Sequence, residues 1–86
     1  MSNNSGVISI GFDNFVNFQK VIAVLTPSGS GAKKRVSCAK EDGTLLDAAM
    51  GRKNRSVIVL ENGYVILSAL APETIAMRAR DEEDDE

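Results

Sequence analysis

The dipeptide Asn62-Gly63 constrains this chain most. It separates Ser56-Val57-Ile58-Val59-Leu60-Glu61 from Tyr64-Val65-Ile66-Leu67-Ser68, two runs rich in β-branched and aliphatic residues. Asn-Gly between such runs is the strongest short-range hairpin signal, because a type I′ turn needs positive φ at both central residues. A hairpin alone is only marginally stable, so the rest of the chain must cover it.

The flanking patterns supply the cover. Val7 to Phe12 alternates and ends near Gly11, so it predicts a short strand, and Lys20 to Thr26 predicts a second strand that stops at Pro27. Pro27-Ser28-Gly29-Ser30-Gly31 is a loop by composition. Ser30 is a candidate N-cap, and Ala32, Val36 and Ala39 then form a thin apolar stripe at helical spacing. Gly43 fits the helix C-cap. Thr44 to Ala49 predicts a third strand, interrupted by Asp47. Pro72 suits the first turn of a second helix, with Glu73 near its start and Arg78 and Arg80 near its end. The expected order is β-β-α-β-β-β-α, an α+β domain with a mostly antiparallel sheet. The domain spans 7–80, between a flexible start at 1–6 and a disordered acidic tail at 81–86.

With 86 residues, such a domain buries only about 60–65% of its unfolded surface. Small domains then lean on disulfides, metals or oligomerisation. Cys38 is the single cysteine and histidine is absent. An intrachain disulfide is therefore excluded, and a zinc site has no ligand set. Oligomerisation is the route left. No apolar run approaches the roughly 18–20 residues of a membrane span, and Met1 to Gly6 lacks the pattern of a signal peptide. A cytoplasmic protein is expected, with no membrane association, cofactor or small-molecule substrate.

The formal net charge of −2 hides an asymmetry. Half of the twelve acidic residues are Asp81 to Glu86. Without them, ten Lys/Arg face six Asp/Glu, so residues 1–80 carry +4. Lys33 to Arg55 holds seven bases and three acids. Arg52, Lys53 and Arg55 follow Gly51 between two apolar runs. Guanidinium groups bind phosphate bidentately and lysine adds a point charge. Charge alone does not separate such a loop from an ordinary solvated turn. Lys33, Lys34 and Arg35 open the first helix, whose free N–H groups favour an anion such as a DNA phosphate. The preceding glycines do not make a nucleotide-binding P-loop: the Gly-x4-Gly-Lys-Ser/Thr spacing is missing.

Catalysis finds no constellation. Without histidine the usual general base is missing. Cys38 reads as a packing residue, and Asp13, Asp47 and Glu73 share no spacing. Asp47 reads as a partner for backbone donors or a nearby arginine. Phe12, Phe15 and Phe18 read as core or subunit contacts rather than a stacking platform for single strands.

Ile8-Ser9-Ile10-Gly11-Phe12-Asp13-Asn14, Gly51-Arg52-Lys53-Asn54-Arg55-Ser56-Val57-Ile58-Val59 and Val65-Ile66-Leu67-Ser68-Ala69-Leu70-Ala71-Pro72-Glu73-Thr74-Ile75-Ala76 carry a likeness. They resemble the RemA (extracellular matrix regulatory protein A) family of small bacterial proteins, from about Ile8 to Arg80. The resemblance implies a nucleoid-associated transcription regulator that binds double-stranded DNA as a ring-like homo-oligomer, an octamer, and activates biofilm-matrix genes. It implies DNA contacts at Arg52, Lys53 and Lys20. At the latter two this chain has Lys where the family commonly has Arg, which keeps the charge but loses the bidentate fork. A rival reading is a protein-interaction scaffold on the same ring, with the acidic tail occupying the basic surface or recruiting a basic partner.

Overall fold

The computed structural model describes residues 6–12 and 14–84, with side chains through residue 80. The expected flexible residues 1–5, the candidate carboxylate Asp13 and the end of the tail at 85–86 lie outside the described residues.

Among the described residues, six strands and two helices follow the expected order, with one strand more than expected. They are β1 (Val7–Gly11), β2 (Asn14–Asn17), β3 (Val21–Leu25), α1 (Ser30–Asp42), β4 (Leu45–Asp47), β5 (Ser56–Leu60), β6 (Val65–Ser68) and α2 (Pro72–Asp84). A single 3-10 turn, Phe18–Lys20, links β2 to β3. The added β2 pairs antiparallel with β1, Ile8 opposite Val16 and Ser9 opposite Phe15. The other strands form a four-stranded sheet in the order β3-β5-β6-β4, antiparallel except where β4 runs parallel to β6. Among the described residues, no helix is long and apolar enough to cross a membrane.

The sheet is covered on both sides. One face packs Val57, Val59, Val65, Leu25 and Leu67 against the α1 stripe of Ala32, Val36 and Ala39. The other packs Ile58 and Ile66 against Ile8, Ile10 and Val16 of the β1–β2 hairpin and Ile75 of α2. This is why β5 reads as an unbroken apolar run: both of its faces are core. Complete burial of side chains such as Ile58 and Ile75 stabilises by about 1.5–3 kcal/mol each. Two serines join the layers. Ser68 Oγ donates to Ile10 O at 2.8 Å and accepts from Leu70 N at 3.1 Å. Ser56 Oγ donates to Leu70 O.

Four expectations change. The Asn62-Gly63 hairpin exists, but not through a type I′ turn. Gly63 N donates to Leu60 O at 3.0 Å and Leu60 N to Tyr64 O at 2.9 Å. Gly63 has φ +93°, while the described non-glycine residues with positive φ are Phe12 and Met50. Asn62 therefore keeps a negative φ, and its Oδ1 accepts from Tyr64 N. The loop has three residues, Glu61 to Gly63, with glycine at the left-handed bulge position. Second, Ser30 is not the cap of α1: Gly29 is, with no side-chain cap bond. Third, Cys38 is exposed, because it lies about 200° around the helix from Val36. Fourth, the acidic segment is not wholly outside the fold. Helical backbone continues through Asp81 to Asp84, since neither Gly nor Pro follows Pro72 to stop it.

Candidate nucleic-acid interface

Three connections meet at one end of the sheet: Thr26–Gly29 before α1, Ala48–Arg55 before β5, and Ala69–Ala71 before α2. Arg55 N donates to Ser68 O at 2.7 Å, which pins the basic loop to the end of β6. Asp47 Oδ1 accepts from Ala49 N at 2.9 Å and turns the chain out of β4.

The loop then makes the type I′ turn expected elsewhere. Met50 and Gly51 have φ of +55° and +82°, and Arg52 N donates to Ala49 O at 3.0 Å. The turn delivers Arg52 to the surface. Its guanidinium carbon lies 5.5 Å from the centre of the Phe12 ring. A cation over a half-exposed ring gains about 0.5–1 kcal/mol. Phe12 is held there by its own left-handed φ of +54°. Asn14 Nδ2 clasps the two turns, 3.1 Å from Gly11 O, 3.3 Å from Phe12 O and 3.5 Å from Ala48 O.

Beyond Arg52, Lys53, Asn54 and Arg55 line a shallow depression completed by Pro27, Ser28, Ala71 and Pro72. A second depression adjoins it, sharing Pro27 and Asn54 and lined by Lys33, Val36, Ser37 and Lys40. Four cations thus surround a continuous surface on which, among the described residues, no carboxylate side chain borders either hollow. Both helices begin here. α1 starts without a side-chain cap, so its first N–H groups are free for an anion. α2 starts at Pro72, on the rim. The positive end of α1 adds to the positive side chains, while Glu73 in the first turn of α2 offsets that helix's own.

The predicted basic residues divide. Arg52, Lys53, Arg55 and Lys33 come together at this end. Lys34 and Arg35 are exposed on α1 but border neither depression. Lys20 sits at the opposite end of the sheet, where its Nζ lies 3.2 Å from Glu61 Oε2. The five residues of β5 separate Arg55 from Glu61, six steps or about 20 Å of strand. Lys40 and Asn54 were missed as site residues. Lys33, Ser37 and Lys40 stand at i, i+4 and i+7, one face of α1, and that spacing was available in the sequence.

A family model described as Extracellular matrix regulatory protein A-like matches residues 7–79. The chain belongs to this family. Its relatives include proteins named "Putative regulatory protein". One from Lachnoclostridium phytofermentans is 47% identical over 77 residues, covering 90% of this chain and 85% of its own. One from Finegoldia magna is 46% identical over 71 residues, covering 83% and 86%. A third, from Cyanothece sp., is 47% identical over 72 residues, covering 84% and 79%. Membership of the RemA-like family gives the chain a regulatory role. The match takes in β1 through most of α2 and ends before the acidic run at Asp81.

Proposed function

We propose that this protein is a DNA-binding transcription regulator that grips duplex phosphates through the basic end of its sheet. One observation carries the reading: Arg52, Lys53, Arg55, Lys33 and Lys40 gather where α1 and α2 begin, with no acidic side chain among the described residues bordering the hollows. Phosphate binding needs this combination of mobile cations and fixed N–H donors. Lys53 supplies charge without a fork, so base reading at that position is weak and specificity comes from DNA shape and bendability.

The site is small in one protomer and gains strength by repetition. A ring-like homo-oligomer, an octamer in this reading, repeats the basic end at fixed intervals and multiplies affinity through effective concentration. It also covers apolar surface that one copy leaves open: Val7, Phe15 and Ile22 are 52%, 62% and 61% exposed. Head-to-tail packing of copies brings Lys20 of one protomer towards the basic loop of the next, which reconciles its role with its distance from Arg52. Extracellular-matrix genes are the expected targets, from the family description.

The test is the double variant Arg52→Ala/Lys53→Ala. Losing two hydrogen bonds between charged groups, at about 1.5 kcal/mol each, weakens duplex binding about 100-fold. Light scattering should show an unchanged oligomer mass. Unchanged duplex affinity in the double variant would contradict the reading. An oligomer from the unaltered chain with no duplex affinity would favour the scaffold, which the exposed Val7, Phe15 and Ile22 also suit.

A further inference from the structure

We infer that the acidic end of α2 acts as a competitor for the basic face of another copy of the chain, in trans. The inference rests on the proposed anion-binding role of that face and adds its regulation.

Geometry sets which copy is reached. α2 begins at Pro72, on the rim of the basic depression. It is anchored by fully buried Ile75, by Ala79 against the core, and by Arg78 Nη1, which donates to Ser9 O at 3.1 Å. Leu70, just before the helix, packs by Gly11, while Arg78 lies by Ser9. The helix therefore runs antiparallel to β1, away from the basic end. Phe18 N donates to Gly6 O at the far end of β1, so α2 leads towards the turn that carries Lys20. The 13 residues of α2 place Asp84 twelve helical steps from Pro72, about 18 Å. The helical acids Asp81 to Asp84 are therefore carried away from their own depression.

Charge fixes the occupant. Asp81 to Glu86 are six consecutive acids, against +4 for the rest of the chain. Over Asp81 to Asp84, where the backbone is helical, consecutive acids carry one negative charge per about 1.5 Å of axis, close to the one per about 1.7 Å of duplex DNA. The segment thus presents to a basic face a charge density like that of its proposed ligand. Each chain carries acid at one end and base at the other, a head-to-tail complementarity that suits a heterologous contact between copies.

The experiment mixes unlabelled and 15N-labelled full-length chains, allows subunits to exchange, and applies a carbodiimide that joins lysine to carboxylate at contact distance. Mass spectrometry should find Lys53, Lys33 or Lys40 joined to the peptide containing Asp81 to Glu86, with about half of the joined pairs combining light and heavy chains. Excess duplex should suppress them. A full-length variant with Asp81→Asn, Glu82→Gln, Glu83→Gln, Asp84→Asn, Asp85→Asn and Glu86→Gln should bind duplex about tenfold tighter at low salt. The gain should vanish near 1 M salt, where the Debye length is about 3 Å. Pairs formed only within one label, or none to these lysines, overturn the inference. Mixed pairs in a protein that binds no duplex, with or without the six replacements, would keep the contact between copies and overturn the DNA reading instead.

Discussion

Ser68 shows what one hydroxyl holds in this fold. Fully buried, it donates to Ile10 O of β1 and accepts from Leu70 N ahead of α2, so it ties the hairpin layer to the loop beside the basic face. Removing it strands a buried carbonyl and a part-buried N–H. Ser68→Ala should destabilise the chain by about 1–3 kcal/mol, read as a lower urea midpoint with little change in slope. A change under about 0.5 kcal/mol would mean that water replaces the hydroxyl. At the same scale, Arg52 was legible from local charge and from the family likeness, but its partner was not. Phe12 is forty residues away, and only its left-handed backbone brings the ring beneath the guanidinium. Lys20 was named from likeness alone, and its pairing with Glu61 depends on a strand register that no local pattern reveals.

Strands and helices were largely readable because both apolar layers leave periodic traces. The α1 stripe of Ala32, Val36 and Ala39 and the runs of β5 and β6 map onto the two cores directly. What escaped was set by turns and short range. β2 has four residues, with Val16 alone buried, too short to show a period. The dipeptide that announced the β5–β6 hairpin did so correctly, yet the backbone chose a three-residue loop and used its I′ turn at Met50-Gly51 instead. A methyl group added at Gly63 would meet open space, but the backbone there has φ of +93°. Gly63→Ala should therefore cost about 1–2 kcal/mol from backbone conformation alone. Thermal melts check this, and an unchanged melting temperature would mean that the loop relaxes to a turn without positive φ. Asp81 to Asp84 continue the helix because neither Gly nor Pro interrupts it, although their charge suggested a disordered tail.

As a whole molecule the chain is polarised. Three connections, two helix starts and four depression-lining cations occupy one end of the sheet, and α2 delivers the acidic run towards the other. A net charge of −2 conveys none of this. The central claim is that the basic end binds duplex phosphates electrostatically. Its most direct measurement is fluorescence anisotropy of a labelled random-sequence duplex, titrated with protein across a salt series. Log K should fall linearly with log salt, by about 0.9 for each phosphate neutralised. Lys33→Ala/Lys53→Ala/Arg55→Ala should flatten that slope and weaken binding at every salt. A slope near zero in the unaltered protein, or an equal slope and affinity in the triple variant, would contradict the account.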